Sequence, residues 1–128
     1  AWLEIKVLDN DNVIYSSGDV ENNENLDISD DNLLVFTSYL YDENGNLTND
    51  ITNFSSMENL TLSPYQDRYA TYDIEIPFDI ENDIVITARL LFRTFKPNFI
   101  LNHHPEFLSN LPIFEVSSIS TIVEVQND

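Results

Sequence analysis

The segment Ala88-Arg89-Leu90-Leu91-Phe92-Arg93-Thr94-Phe95-Lys96-Pro97-Asn98-Phe99 decides the fold class of this chain. Its first part belongs to a longer run, residues 84–93, in which every second side chain is apolar. Alternation with a period of two predicts a β-strand, and the proline that follows predicts a turn. The segment also holds three of the chain's five basic residues, against 23 Asp and Glu. It therefore bears on both the fold and the contacts of the protein.

Strand-like alternation recurs outward from this segment along most of the chain. Residues 42–46 supply the Asn and Gly that a tight reversal needs, whereas the acidic residues 19–32 predict a long loop. Between 97 and 110 the apolar spacing predicts one short helical segment instead of a strand. The remaining predicted strands are 2–8 and 13–15, which we expect to form a hairpin, and 33–41, 70–76 and 117–125. About seven strands predict an all-β, immunoglobulin-like antiparallel β-sandwich.

Length and composition set limits on the class of protein. A chain of 128 residues with 42% hydrophobic residues predicts a single folded domain over residues 1–128. Its net charge of −18 disfavours nucleic acid and anionic membrane surfaces as partners, and favours cations such as calcium. With no cysteine, the chain carries no disulfide and no covalently attached c-type haem. No signal peptide or spanning segment is visible, which predicts a processed chain or a piece of a longer one.

Several short stretches occur here in an order that resembles a known family. They are residues 1–7 with Asp9, 13–15, 17–18, 68–69, 76–77, 88–90 with Arg93, Phe95, Pro97 and Phe99, and 111–112. Together they resemble the β-sandwich domain at the C-terminal end of many bacterial and archaeal multihaem c-type cytochromes. The resemblance implies a sandwich fold and an extracellular or cell-surface location in a prokaryote. It also implies, as one functional alternative, an accessory domain of such a cytochrome in extracellular electron transfer.

The chain departs from that family in two respects. It begins after a Gly-His-x-x-Pro-Thr-Gly segment and the strand that precede the Trp-containing strand in the family, and it lacks every haem-binding motif. A sandwich short of its first strand has an unpaired edge that a neighbouring chain can fill. We therefore predict a homo-oligomer or filament in which residues 2–8 are exchanged between copies, as in donor-strand pili. The predicted exchange residues are Trp2, Leu3, Ile5 and Val7. Ordinary pairing of this strand within its own domain is the alternative.

Alternation places a second candidate interface on the strand over 84–93. The patch consists of Arg89, Leu91, Arg93 and Phe95. Arginine and aromatic residues are favoured at the centres of protein interfaces, and an acidic partner surface would complement this patch. The alternative is that Arg89 and Arg93 pair with Asp73 and Glu75 across a neighbouring strand.

The sequence also contains candidate residues for calcium binding, for N-linked glycosylation and for zinc binding. Calcium ligands are available in the acidic turns, although no loop matches the EF-hand pattern; the candidates are Asp9, Asp11, Asp27, Asp30 and Asp31. Acceptor tripeptides for N-linked glycans begin at Asn46, Asn53 and Asn59. His103 and His104 have no third ligand at a convincing spacing, so surface histidines are expected instead of a zinc site.

The sequence has no serine in a nucleophile motif, no phosphate-binding loop and no carboxylate pair that can be assigned a catalytic role. We therefore do not expect an enzyme. The sequence therefore favours a non-catalytic structural subunit of an extracellular filament built through strand contacts. The cytochrome accessory domain is the alternative, and a carbohydrate-binding module using exposed tyrosines such as Tyr65 and Tyr69 is a third hypothesis.

Overall fold

The chain folds into two antiparallel β-sheets in a computed structural model that describes residues 1–21, 23–48, 52–61 and 65–125. The strands are β1 (Trp2–Asp9), β2 (Asn12–Ser17), β3 (Ser38–Tyr41), β4 (Leu47–Thr48), β5 (Ser56–Asn59), β6 (Ile84–Phe92) and β7 (Phe114–Val123). The helical elements are α1 (Pro97–His103) and a 3₁₀ helix (Pro105–Asn110). The sheet orders are β2-β1-β6-β7 and β4-β3-β5. The predicted all-β fold, with about seven strands and a short helical segment near 97–110, is confirmed, and its two sheets are consistent with a β-sandwich.

Strands β1 and β6 form the centre of the four-stranded sheet. The ladder between them is continuous, from Trp2 opposite Leu91 to Asp9 opposite Ile84. On its other side β1 forms the predicted hairpin with β2. Asn10 closes that hairpin with φ of 53°, a left-handed conformation that Asn tolerates. Because β1 is bonded on both sides, the start of the chain lies inside the sheet.

The main apolar core lies on the face of this sheet that carries Val7 and Ile84. Val7 is fully buried, and Ile80 folds over it from the loop before β6. Partly buried side chains complete the cluster: Ile14, Tyr15, Ile74, Ile86 and Val125. Burial of each large apolar side chain contributes roughly 1.5–3 kcal/mol to stability. The alternation of Leu3, Ile5 and Val7 correctly indicated which face of β1 packs here.

Trp2 closes the opposite face of β1. The residue is 2% exposed, and its Nε1 donates a hydrogen bond to the Gly18 carbonyl at 2.9 Å. The Arg93 guanidinium lies over the indole ring, 5.0 Å from its centroid, and the cross-strand neighbour Leu91 is also 2% exposed. One side chain thus joins the start of β1, the end of β2 and the end of β6.

Residues 34–36 connect the two sheets. The Leu3 amide donates to the Leu34 carbonyl, and the Phe36 amide donates to the Ala1 carbonyl. The chain then enters β3, and the predicted reversal over 42–46 joins it to β4. The predicted strand over 33–41 is only partly confirmed, because its first half pairs with the start of β1 and its second half belongs to the other sheet.

The prediction of a strand over 70–76 is wrong, because this segment lies outside both sheets. Tyr72 and Ile74 are partly buried, as the alternation indicated. However, residues 66–76 make no backbone–backbone hydrogen bond with any other described residue. The Tyr72 hydroxyl is buried without a hydrogen-bond partner among those residues, and its burial raises the pKa of the phenol. The segment therefore has the side-chain pattern of a strand but no strand beside it.

The helical corner after β6 begins at Pro97. Proline at the first helical position has its φ already set for a helix and needs no hydrogen bond for its nitrogen. Pro97, Ile100 and Leu111 are all buried, so the corner is packed against the rest of the domain. This packing holds the residues between β6 and α1 in place.

Gly18 allows us to predict a large stability loss from a single methyl group. Its φ is +73°, and a Cβ placed there would lie 2.5 Å from the Leu3 carbonyl oxygen and 3.1 Å from Trp2 Cδ1. We expect Gly18→Ala to lower the free energy of unfolding by about 3 kcal/mol, from left-handed strain and displacement of backbone atoms. Urea denaturation followed by Trp2 fluorescence measures the loss.

Gly45→Ala is the matched control. Gly45 has a similar φ of +80°, but nothing lies within 4 Å of an added Cβ. This variant should lose only the conformational term, about 1 kcal/mol. Equal losses in the two variants would contradict the close approach of Gly18 to Leu3 and Trp2.

Candidate functional site

A cleft of about 260 Å³ lies between the end of β6 and the chain that enters β3. We call it the basic cleft and define it by six of its lining residues: Trp2, Val35, Leu47, Arg93, Phe95 and Lys96. Residues 93–96 bring two positive charges and an aromatic ring to one wall, and the opposite wall is largely apolar. The cleft is therefore shaped by the same segment that decides the fold.

Both cations of the basic cleft lie over aromatic rings. Arg93 covers Trp2 and donates one hydrogen bond, from Nη1 to the Glu24 carbonyl at 2.8 Å. The Lys96 ammonium lies 4.8 Å from the centroid of the Tyr39 ring. Burial lowers the pKa of both groups, because loss of water disfavours the charged form. The Ala1 amino group also lines the cleft, and its pKa is lowered by burial first and then by Arg93 and Lys96.

Neither cation of the basic cleft has a carboxylate partner within the described part of the chain. Lys6 pairs with Asp19 at 3.4 Å, and Arg89 pairs with Glu4 and Glu115 at 2.7 and 3.5 Å. Arg93 and Lys96 form no such ion pair, although the chain has 23 acidic residues. A positive site thus persists in a strongly negative molecule.

The acidic loop is tied to the rim of the basic cleft. Asn25 donates from its amide nitrogen to Asn98 Oδ1 at 2.8 Å and accepts from the Asn98 backbone amide at 3.2 Å. This pair links residue 25 to the first turn of α1. From the sequence only a long loop is predicted here, because two asparagines that lie 73 positions apart carry no local signal of their contact.

One of the two histidines, His103, belongs to an aromatic stack along α1. Phe95 stacks on Phe99 at 5.5 Å between ring centroids, and Phe99 stacks on His103 at 4.3 Å. His103 Nδ1 hydrogen-bonds with the Phe99 carbonyl, whereas His104 Nδ1 lies 3.4 Å from Glu106. Both histidines are exposed and have different partners, which confirms the expectation of surface histidines.

The four residues of the predicted interface patch do not share one surface. Arg89 makes a bidentate contact with Glu4, with distances of 2.7 and 2.8 Å. Leu91 is buried behind Trp2, and only Arg93 and Phe95 reach the basic cleft. The alternative pairing of the arginines with Asp73 and Glu75 is also wrong, since the acidic partners of Arg89 come from β1 and β7. Alternation identified the residues but not the strands that flank them.

The Glu4–Arg89 pair allows us to predict an asymmetry between two variants. Glu4 is 2% exposed, and the hydrogen bond from Arg89 supplies its charge partner. Arg89→Met leaves a buried carboxylate unpaired, and we expect a loss of about 3 kcal/mol in the free energy of unfolding, the low end for a broken buried pair because Arg89 itself is partly exposed. The double variant Glu4→Leu with Arg89→Met should recover most of that loss. Chemical denaturation tests this, and a double variant no more stable than Arg89→Met would contradict the pairing.

The predicted exchange strand lies in the middle of its sheet. Trp2, Ile5 and Val7 are buried, and Leu3 is partly buried. Every residue from 2 to 9 faces β6, and residues 5–9 also face β2. Within one chain, this strand therefore adopts the ordinary pairing that the sequence analysis held as the alternative.

The candidate calcium ligands are distributed over two loops. Asp9 and Asp11 flank the hairpin turn, and Asp27 accepts hydrogen bonds from Ser29. Asp30 accepts from the Ser17 hydroxyl and the Asn32 amide, which orders the acidic loop. In the part of the chain that the structure describes, no three acidic or histidine side chains converge on a point suitable for a metal ion.

The predicted surface residues lie where a modification or a sugar can reach them. Asn46, Asn53 and Asn59 are exposed, in or beside the three-stranded sheet. Tyr65 and Tyr69 are also fully or largely exposed. No helix among the described residues is long and apolar enough to cross a membrane.

A free edge along β7 is the feature that the sequence analysis missed. Strand β7 pairs with β6 on one side and with no other described strand on the other, and all ten of its residues are exposed. Its large exposed apolar residues are Phe114, Val116, Ile119, Ile122 and Val123. The expected alternation of buried and exposed positions is absent.

Beside β7 lies an apolar groove of about 310 Å³. We define it by Leu3, Phe36, Arg68, Ala70, Leu90 and Ile119. Arg68 and Ala70 belong to the segment that has no strand beside it, so the groove separates that segment from the face of the sheet. Among the described residues, none fills the space between the sheet and this segment.

Comparison of the chain with protein-family models, with curated proteins and with solved structures gives no significant match. The function therefore has to be argued from the basic cleft, the free edge and the apolar groove.

Proposed function

We propose that this chain is a non-catalytic structural subunit of an extracellular filament, assembled through the edges of its four-stranded sheet. The observation that carries the proposal is β7, a ten-residue edge strand with every residue exposed. The extracellular location rests on the resemblance to the domain of multihaem cytochromes.

An edge strand of this kind favours association. Its outer N–H and C=O groups match those of another strand, and folded proteins ordinarily protect such edges with charges, prolines or bulges. Strand β7 contains one charged residue, Glu115, and that side chain is engaged by Arg89. A bulge at Val116, where the register with β6 shifts, interrupts the ladder near one end only. Seven consecutive residues, 117–123, remain available for pairing.

We assign the intermolecular contact to β7 instead of β1. Exchange of β1 requires both of its ladders to open and removes Trp2 and Val7 from the interior. Edge addition at β7 leaves every intramolecular contact in place and adds new backbone hydrogen bonds. A deletion of residues 1–8 cannot distinguish exchange of β1 from edge addition at β7, because it removes a central strand of the sheet in either case.

The arrangement of free edges favours an open polymer. The four-stranded sheet has β7 at one edge and β2 at the other. Pairing of β7 with β2 of the next copy is head to tail and leaves both outer edges free for further growth. Side chains from the added strand, next to Ile119, would also fill the apolar groove under Ala70.

The accessory domain of a multihaem cytochrome is the second candidate. It is favoured by the helical corner, where the residues that carry the resemblance, including Pro97 and Leu111, are buried and structural. On this hypothesis a strand encoded upstream covers the open layer. Cys-x-x-Cys-His motifs upstream in the parent gene would support it.

Ile119→Lys tests the proposed edge. Ile119 is 72% exposed and lines the apolar groove, so the substitution should change the stability of the subunit by less than about 0.5 kcal/mol. A lysine there places a charge in the contact, and we expect filaments seen by electron microscopy to give way to monomers in light scattering.

Ile28→Lys is the control, because Ile28 is 79% exposed but lies in the acidic loop. It introduces the same charge change and should leave filaments intact. A monomer in the unsubstituted chain would overturn the proposal. A closed dimer lost in Ile119→Lys would contradict the head-to-tail arrangement and indicate pairing between two β7 strands.

Salt dependence provides a second test of the assembly. Each subunit carries a net charge of −18, so copies repel one another. Raising the ionic strength from roughly 0.01 M to 0.15 M shortens the screening length from about 30 Å to about 8 Å and weakens that repulsion. We expect longer filaments at the higher ionic strength by dynamic light scattering. Shortening with added salt would show that ion pairs, and not strand edges, hold the copies together.

A further inference from the structure

We infer that the basic cleft is a binding site for a small organic carboxylate. This site is distinct from the proposed filament contact, because none of its lining residues belongs to β7. Carboxylate binding in the basic cleft therefore does not depend on filament assembly.

Most side-chain N–H groups of Arg93 and Lys96 have no acceptor among the described residues. An arginine side chain has five N–H groups and a lysine ammonium has three. Arg93 donates one side-chain hydrogen bond to a described residue, and Lys96 donates none. A carboxylate is the ligand that best matches the planar fork of arginine, and the adjacent ammonium adds a second charge-assisted contact.

Arg93 and Lys96 also have no counter-charge among the described residues. Arg93 is partly buried under the acidic loop, and the Lys96 ammonium lies against the Tyr39 ring. Contacts with aromatic rings offset part of the lost hydration but do not neutralise the charge. Among the other basic residues, Lys6 and Arg89 pair with carboxylates, and Arg68, which has no ion pair with a described residue, is exposed to water. The basic cleft, which holds two cations, is therefore where an external anion gains most.

The size and the lining of the basic cleft favour a small ligand. A volume of about 260 Å³ lies just below the range of roughly 300–1,000 Å³ that accommodates drug-sized ligands. Val35, Leu40, Leu47 and Phe95 supply apolar walls beside the charges. The combination selects a compact molecule with an apolar body and one carboxylate.

Phenylacetate is the probe, and fluorescence of the single tryptophan is the measurement, because Trp2 lines the cleft. We expect a saturable change with phenylacetate, and at least tenfold weaker binding of its neutral isostere phenylacetamide, since hydrogen bonds to a charged acceptor are about twice as strong as those to a neutral one. Lys96→Met should weaken phenylacetate binding about tenfold, whereas Lys96→Arg should retain it.

Lys6→Met is the matched control, since it removes one lysine charge from outside the basic cleft, and it should bind phenylacetate like the unsubstituted protein. Urea denaturation verifies that all variants are folded. Three results would each overturn the inference: no saturable signal with phenylacetate, equal binding of phenylacetamide, or equal weakening by Lys6→Met and Lys96→Met. Inorganic phosphate that bound as tightly as phenylacetate would overturn it too, because the apolar walls would then contribute nothing.

Discussion

The burial of Trp2 is the constraint on which the rest of this structure depends. Its indole nitrogen needs an acceptor once it leaves water, and the Gly18 carbonyl provides one at 2.9 Å. That acceptor is in place only because Gly18 adopts φ of +73° beside the Leu3 carbonyl. The ring then forms the surface on which Arg93 rests. The end of β2, the start of β1 and the wall of the basic cleft are thus set by one side chain.

This arrangement explains why the edge and the cleft have different characters. The face of β1 that carries Trp2 is covered, so polar groups there find fixed partners, as Glu4 finds Arg89. Two strands away, β7 lacks such cover, and its apolar side chains remain in water. Above β7, residues 66–76 form no backbone hydrogen bond with another described residue. The apolar groove separates this segment from the sheet.

How much of this was predictable from the sequence depends on whether a feature is local. The hairpin of β1 and β2, the strand over 84–92 and the corner at Pro97 were predicted, because periodicity and turn residues encode them locally. Alternation over 70–76 correctly marked Tyr72 and Ile74 as inward, but it cannot say whether a partner strand is present. The basic cleft was only partly predicted, since Arg93 and Phe95 were selected while Trp2, Lys96 and the Asn25–Asn98 link depend on distant contacts.

The net charge of −18 connects the two proposed activities. Repulsion between copies is long-ranged at low ionic strength, whereas backbone hydrogen bonds at an edge act only at contact. Strand pairing can therefore prevail only where few charges face the partner, and β7, with its one engaged glutamate, is such a place. The same field repels small anions from most of the surface. A carboxylate can bind only where cations outweigh that field locally, and within the described residues the basic cleft brings together Arg93, which is partly buried, and Lys96, which is exposed.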